Sequence, residues 1–427
     1  MWCATRVTRR EGVAACVSMC LAVSALSSCA HVPARTPVPL ELVGRAEIPG
    51  VPDARAWGDA WPQEFIAPFQ VSDEELRSRF PAIYGQPHNY LALSGGGANG
   101  AFGAGLLVGW TAAGTRPKFT MVTGISTGAL TAPFAFLGSD YDDALRAVYT
   151  TSSTKDIETK KGLLAALRGI SVADTSPLRR LIGEYMTPAV VEAIAREHRT
   201  GRRLWIGTVN LDAGRPVIWN LGAIAASDDP DKVQLVRDVL LASSAMPVVF
   251  PPVLIPVEAN GHRYDEMHVD GGTASQVWVY PAAVDWRAIV RKLKVVGRPQ
   301  VYVIRNAALE PSFATVEPKT KQIATRAISS LIRTQGIGDL YKIYGLCERD
   351  GNDFNLVSVP SDFADKPTEA FDRAYMGKLF DVGYRLGATG DPWQHEPSGF
   401  NPESTALGVE APNSEAAGVL ASPLVVR

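Results

Sequence analysis

The pentapeptide Gly124-Ile125-Ser126-Thr127-Gly128 constrains this 427-residue chain more than any other feature. It follows the short apolar run Phe119 to Val122, so it reads as a sharp turn at a strand end with a serine at its apex. Glycines two positions to either side let the backbone bend tightly and keep the neighbours small, leaving the hydroxyl to project toward a substrate. A helix following Ser126 through Phe136 would set a positive partial charge and free N–H groups beside that hydroxyl. The pentapeptide alone leaves another reading open, a serine N-cap in a tight turn with no chemistry, because serine is a favoured cap.

A second glycine-rich stretch, Ser94-Gly95-Gly96-Gly97-Ala98-Asn99-Gly100, separates the strand pattern Tyr90-Leu91-Ala92-Leu93 from a helix expected over about Gly100 to Trp110. Its spacing fits GxGxxG. A dinucleotide site of that kind also needs an acidic residue closing the second strand, about 20 residues on. Here the second strand ends in Val122-Thr123-Gly124, and no Asp or Glu occurs from Asn99 to Ser139. A phosphate-binding P-loop is excluded because no Gly-Lys-Ser/Thr follows. The better reading is a set of backbone N–H donors free of side-chain bulk and aimed at a tetrahedral oxyanion, one such donor being worth on the order of 3 kcal/mol of barrier. A bare tight turn stays open as the alternative.

The third motif, Asp270-Gly271-Gly272, follows Met267-His268-Val269 at the end of an expected strand. An Asp before two glycines forms Asx turns in any loop, so it gains chemical meaning only in company. Ser126 needs a base, and histidine is scarce. Only His395 lies beyond Asp270, in a weakly patterned tail, while His262 and His268 precede it and read as loop or strand-edge residues. Asp270 is the other candidate, taking the serine proton directly. A free Asp, with a pKa near 3.9, is a feeble base at neutral pH. The site must then be partly desolvated, or must lower the serine's proton affinity through the helix end and the oxyanion donors. Cys347 lacks a glycine turn or a nearby histidine in sequence and reads as a buried structural thiol.

Strand–loop–helix repeated twice points to an α/β fold with a mostly parallel central sheet. Leu204 to Val209 and Pro216 to Asn220 flank Asp212-Ala213-Gly214 as a β-hairpin, and Asp231 to Ala245 has helical spacing. Later strands are expected at Val301–Ile304 and Phe354–Val357, with helices near 318–345 and 367–385. Leu163, Leu164, Leu167 and Ile170 form an amphipathic stripe beside Lys160, Lys161 and Arg168, suited to a core face or to a lipid surface. From Gly390 onward the chain is rich in Pro, Gly and Ser, and a mobile or loosely wrapped tail is expected over 391–427.

The N-terminus reads as an export signal. Arg6, Arg9 and Arg10 precede the short small-residue apolar stretch Gly12 to Leu26, too short for an ordinary membrane span. Leu26-Ser27-Ser28-Cys29 looks like a bacterial lipobox, which implies cleavage of residues 1–28 and lipid on Cys29; an ordinary signal cut nearby is the alternative. Ala30 after Cys29, rather than Asp, suggests an outer-membrane lipoprotein facing the periplasm. His31 to about Pro52 is Pro-rich and suits a tether within a 29–88 extension, with Trp57, Trp61 and Phe65 free to meet either the membrane interface or the main body. A net charge of −2 gives no electrostatic case for nucleic acid.

The three motifs, in this order and spacing, resemble patatin-like phospholipases. So do Ala242-Ser243-Ser244-Ala245-Met246-Pro247 with Phe250-Pro251-Pro252, and the Asp174-Thr175-Ser176-Pro177-Leu178 helix start. The resemblance covers residues 89–305. It implies a three-layer α/β sandwich with a catalytic domain over 89–310 and an extension over 311–390. It implies Ser126 as nucleophile, Asp270 as proton acceptor and Gly95, Gly96 and Gly97 as the oxyanion loop, with Gly100, Gly124, Gly128, Gly271 and Gly272 in support. The implied activity is lipid acyl hydrolysis without metal or cofactor, the partners being a lipid or ester substrate and a membrane met through the anchor. Many relatives carry Arg or Lys where this chain has Asn99, so neutral glycerides or simple esters become more plausible than phospholipid. Two other readings compete, a Ser-His-Asp esterase using His262, His268 or His395, and a non-catalytic acyl-binding or scaffolding envelope lipoprotein.

Overall fold

The computed structural model describes residues 35–160, 171, 173–311 and 313–400. The 1–28 segment, Cys29, the Leu163–Ile170 stripe and residues 401–427 lie outside the described residues. Along the chain the strands are β1 (Arg55–Trp57), β2 (Asn89–Leu93), β3 (Met121–Gly124), β4 (Thr159–Lys160), β5 (Ala173–Asp174), β6 (Arg203–Asn210), β7 (Arg215–Asn220), β8 (Val253–Ala259), β9 (His262–Asp270), β10 (Gln300–Arg305) and β11 (Asp353–Ser358). The helices of ten residues or more are α1 (Gly100–Ala112), α2 (Thr127–Leu137), α3 (Asp142–Thr151), α4 (Ser176–Tyr185), α5 (Pro188–Arg199), α6 (Lys232–Ser243), α7 (Thr320–Asp350) and α8 (Arg373–Gly387).

Nine strands form one sheet in the order β1-β7-β6-β3-β2-β10-β11, with β9 also pairing β6 and carrying β8 on its other edge. The central run β6-β3-β2-β10-β11 is parallel throughout. These strands are short apolar runs buried on both faces, as parallel strands covered by helices must be. Alternate residues feed two separate cores. Leu91, Leu93, Val122, Leu204 and Ile304 face one core with α1, α2, α6 and α8. Tyr90, Ala92, Met121, Trp205 and Val303 face the other, where Trp286, Ile289 and the second half of α7 cover them. The result is the expected helix–sheet–helix sandwich. The tight hairpin β6–β7 is antiparallel around Asp212-Ala213-Gly214, as its sequence indicates.

Helices α1 and α8 lie with their backbones in contact. A Cβ on Gly105 or Gly109 would overlap the carbonyls of Phe380 and Tyr384, and one on Gly383 or Gly387 would overlap those of Phe102 and Leu106. Four glycines spaced by four residues thus strip one stripe of each helix bare, which is what such close approach requires.

The Pro-rich segment expected as a tether is docked over its described part. Arg35 pairs with Asp212 on the hairpin turn, its second nitrogen 2.8 Å from the carboxylate. Glu47 and Glu258 exchange backbone hydrogen bonds on the open edge of β8. Ile48, Val51 and Ala54 are buried in the first core. An uncovered strand edge and three apolar side chains suffice to hold the segment on the body. Phe65 is likewise buried, edge-on to Trp286, and the Trp61 indole donates to the Ala283 carbonyl, so these aromatics pack on the main body. The weakly patterned C-terminal stretch is anchored at its start: Gln394 bridges Leu356, and Trp393 sits 4.7 Å from the Trp110 ring centroid.

Candidate functional site

Parallel neighbours end together. Leu93 stands opposite both Gly124 and Ile304, so the loops leaving β2, β3 and β10 meet at one edge of the sheet. That carboxyl-end crevice is where open α/β sheets bind ligands. Ser126 sits between β3 and α2 with φ 56° and ψ −126°, a strained conformation for a residue with a side chain. The turn closes only because Gly128 presses on the Leu93 and Ser94 carbonyls and Gly124 presses on Gly128. The Ser126 amide donates to Ser243 Oγ at 3.0 Å, and that hydroxyl donates in turn to the Gly207 carbonyl at 2.7 Å.

Asp270 closes β9, antiparallel to β6 with Thr208 opposite. Its amide donates to the Ala245 carbonyl at 3.0 Å, so the end of α6 and the turn after it hold the backbones of Ser126 and Asp270. The carboxylate is buried. It accepts from the Gly272 amide at 2.7 Å, and the Ser126 side chain adjoins it, favouring its charged form. Burial pushes its pKa up to about 6, against the opposing effect of Ser126 and the Gly272 amide. Gly271 packs directly on the Gly207 carbonyl. The two motif residues, 144 positions apart in sequence, are therefore neighbours at the sheet edge.

The three histidines weighed as bases are elsewhere. His268 is buried with Nδ1 3.0 Å from Thr208 Oγ1 and Nε2 3.1 Å from Glu266, so both ring nitrogens are engaged. Glu266 is itself clamped by Arg55, and burial lowers the His268 pKa. His262 opens β9 at its exposed far end. His395 faces the Phe354 carbonyl at 3.3 Å, at the start of β11 and the opposite edge of the sheet. Cys347 is buried in the second core, where desolvation raises its pKa. An apolar pocket lined by Phe65, His88, Tyr90 and Met121 also lies at the strand starts, away from Ser126.

The glycine loop is more differentiated than its sequence suggests. The Gly95 amide donates to the Gln276 carbonyl at 3.0 Å, so it is already committed, and a Cβ there would press on Ser126. Gly95 therefore serves by closeness, correcting its expected place among the donors. Gly96 packs on the Asn306 backbone and Gly97, at φ 56°, begins the 3-10 turn that leads through Gly100 into α1. Asn306, which sequence reasoning missed, fastens this loop. Its amide donates to Ser94 Oγ at 2.8 Å, its Nδ2 to the Ser94 carbonyl at 2.9 Å, and its Oδ1 accepts from Gly103 at 3.0 Å. Gln276 fastens the other side, its Nε2 donating to the Gly272 carbonyl at 2.8 Å and to Gln335 at 3.0 Å, its amide to Asp339 at 2.6 Å. The only signal for either was a polar residue just past a strand end or motif. Beside them the Arg305 guanidinium is buried against Gly336, with Nη1 lacking a hydrogen-bond partner among the described residues. Burial lowers its pKa to about 10, partly countered by Asp339. Asn99 accepts from the Tyr375 hydroxyl of α8 at 2.7 Å.

A buried carboxylate with raised proton affinity, beside a hydroxyl on a strained turn at a helix N-terminus, is equipped to take up that hydroxyl's proton. No cluster of His, Cys, Asp and Glu among the described residues is arranged to hold a metal ion. Residues 91–283 match the family model of patatin-like phospholipases. No curated protein gives a significant match. Among solved structures, VipD from Legionella pneumophila aligns over 71% of this chain and 67% of its own at 13% identity, with a TM-score of 0.35. The family match spans both glycine motifs, Ser126 and Asp270, so residues 91–283, which carry them, are similar to a patatin-like phospholipase domain.

Proposed function

We propose that this chain is a serine acyl hydrolase that cleaves lipid carboxylic esters with Ser126 and Asp270 as a dyad. The family match supports lipid acyl hydrolysis at the level of the family. The observation that carries the finer reading is the placement of Ser126, on its strained turn, beside a buried Asp270 whose pKa rises to about 6. In this mechanism the Ser126 oxygen attacks the ester carbonyl carbon while its proton passes to Asp270. The negative charge forming on the carbonyl oxygen is met by the Gly96 and Gly97 amides, with the positive end of α2 beside the nucleophile. The tetrahedral adduct collapses, the C–O bond to the alcohol breaks, and protonated Asp270 returns the proton to the leaving oxygen. A water then attacks the acyl-serine, giving its proton to Asp270; the C–O bond to Ser126 breaks, Asp270 returns that proton to the Ser126 oxygen, and the fatty acid departs.

The hydrogen bond that ties Asn99 to Tyr375 supports a preference for neutral glycerides or simple esters, since no cation occupies that position to meet a phosphate. The lipobox-like Leu26-Ser27-Ser28-Cys29 supports an acylated envelope lipoprotein, which would keep the enzyme at its substrate surface. The test is hydrolysis of p-nitrophenyl acyl esters by the purified protein and by Ser126→Ala, with fluorophosphonate labelling of Ser126 in parallel. The expected result is turnover and labelling in the parent and neither in the variant. Equal turnover in both would overturn the assignment.

A further inference from the structure

Helix α7 is built in two unlike halves. From Leu340 to Cys347 it packs into the second core, with Leu340, Ile343, Leu346 and Cys347 buried. Before Gln335 it stands almost wholly in solvent, leaving Ile323 52%, Ile328 55% and Leu331 70% exposed. At about 100° per residue, Ile323, Ala327, Ile328 and Leu331 fall on one side of this half, with Arg326 and Arg333 bordering that side beyond Ile323. From Pro318 to Gly338 the sequence carries Lys319, Lys321, Arg326 and Arg333 and no acid. The acid just before it, Glu317, pairs with Lys319 at the exposed surface, where such pairs contribute little. No described helix is long and apolar enough to cross a membrane.

We propose that the first half of α7 is a membrane-surface arm, laying its aliphatic side into the headgroup boundary of an anionic bilayer. A basic helix with one apolar side and exposed aliphatics is the form suited to that interface, the cations meeting lipid phosphates around it. The charge decides the occupant, since an uncharged or basic partner surface gains nothing from a run of cations without an acid. The arm also grows from the site. Gln335 and Asp339, at its root, are hydrogen-bonded to Gln276, which holds Gly95 on one side and Gly272 on the other. The arm's length of about 22 Å from Thr320 to Gln335 keeps its apolar side within reach of the crevice. Seating it on a bilayer brings the acyl chains to the sheet edge that carries Ser126. This inference deepens the lipid-ester reading but is testable without it.

The experiment compares the full chain with Ile328→Glu/Leu331→Glu and, separately, with Lys319→Glu/Arg326→Glu. Each is sedimented with vesicles of phosphatidylcholine alone and of phosphatidylcholine with phosphatidylglycerol. All three proteins share the N-terminal segment, so differences between them report the arm. The parent is expected to bind the anionic vesicles more tightly, and each variant to lose about tenfold of that affinity. Thermal unfolding of Ile328→Glu/Leu331→Glu is expected to be unchanged, as those two side chains are exposed. Turnover of a soluble short-chain ester is expected to persist while hydrolysis of vesicle lipid falls. Equal binding to both vesicle types, or variants that bind like the parent, would overturn the proposal. A self-associating parent made monomeric by Ile328→Glu/Leu331→Glu, with vesicle binding unchanged, would assign the face to a second copy and overturn it too. Absence of any esterase activity, with the vesicle results as expected, would leave the arm standing and remove the hydrolase.

Discussion

The Ser243 hydroxyl is wedged between two backbones, accepting from the Ser126 amide at 3.0 Å and donating to the Gly207 carbonyl at 2.7 Å. It forms no hydrogen bond with Asp270 among the described residues, yet it fixes the turn on which Ser126 is held at φ 56°. Ser243→Ala leaves a buried N–H and a buried C=O unpaired, a loss of about 1–3 kcal/mol of stability. A merely structural role would stop there. As a positioning residue, Ser243 is expected to act on kcat, with Ser243→Ala lowering it about tenfold while KM stays close to the parent value. Steady-state kinetics on a chromogenic ester checks this split.

Asp270 makes opposite demands on activity and stability. Its pKa rises from 3.8 to about 6 because burial disfavours the carboxylate. The folded protein thus binds the proton more tightly than the unfolded chain, and this contribution to stability is full below pH about 4 and is lost as pH rises through about 6. At pH 8 the ionised group costs on the order of 3 kcal/mol. Asp270→Asn keeps an acceptor for Ser126 and Gly272 without the charge. It is expected to raise the melting temperature at pH 8, to give no gain at pH 4, and to abolish turnover. In the parent, kcat/KM should fall on the acid side with an apparent pKa of about 6, the pH at which Asp270 stops accepting protons.

The strain at Ser126 gives a second stability signature. Its positive φ is paid out as about 1–3 kcal/mol in a residue with a Cβ, and glycine avoids it. Glycine also gives the unfolded chain more freedom, which takes back about 0.4–1 kcal/mol. Ser126→Gly is therefore expected to be more stable than Ser126→Ala by about 1 kcal/mol, both being inactive. Chemical denaturation of the two variants measures the difference; the reverse order would mean that the turn is relaxed.

Much of this frame was legible because its signals are local. Apolar runs such as Tyr90–Leu93 and glycine punctuation at Gly95–Gly97 and Gly124–Gly128 fixed strand ends and helix starts close to where they lie. Their meeting at one sheet edge then follows from parallel neighbours ending together. What escaped depends on contacts between distant segments. Nothing within Pro37 to Pro52 announces that Glu258 offers an open strand edge, or that Asp212 waits for Arg35. Ser243 was read as part of a motif, but its hydroxyl gains a role only against Ser126 and Gly207. The Gly95 amide looked like the others in its row, and only Gln276, 181 residues on, takes it out of service.

The contact of α1 with α8 carries the last prediction. Helix α1 begins at the glycine loop, and Gly105 on it touches the Phe380 backbone while Gly383 touches Phe102. A methyl group at Gly105 has no flexible side chain to displace, only a helix backbone, so the two helices must separate. Gly105→Ala is expected to destabilise by about 1–3 kcal/mol, as overpacking of a filled core does. Because the N-terminal end of α1 is the loop that holds Gly96 and Gly97, activity should fall by more than the loss of folded protein accounts for. Gly377, also on α8, has open space where its Cβ would stand. Gly377→Ala is the matched control and should stabilise by about 0.5–1 kcal/mol through helix propensity alone, with activity unchanged. Denaturant titration alongside active-site labelling separates the two variants; a Gly105→Ala protein as stable as Gly377→Ala would mean that the helices are not held in backbone contact.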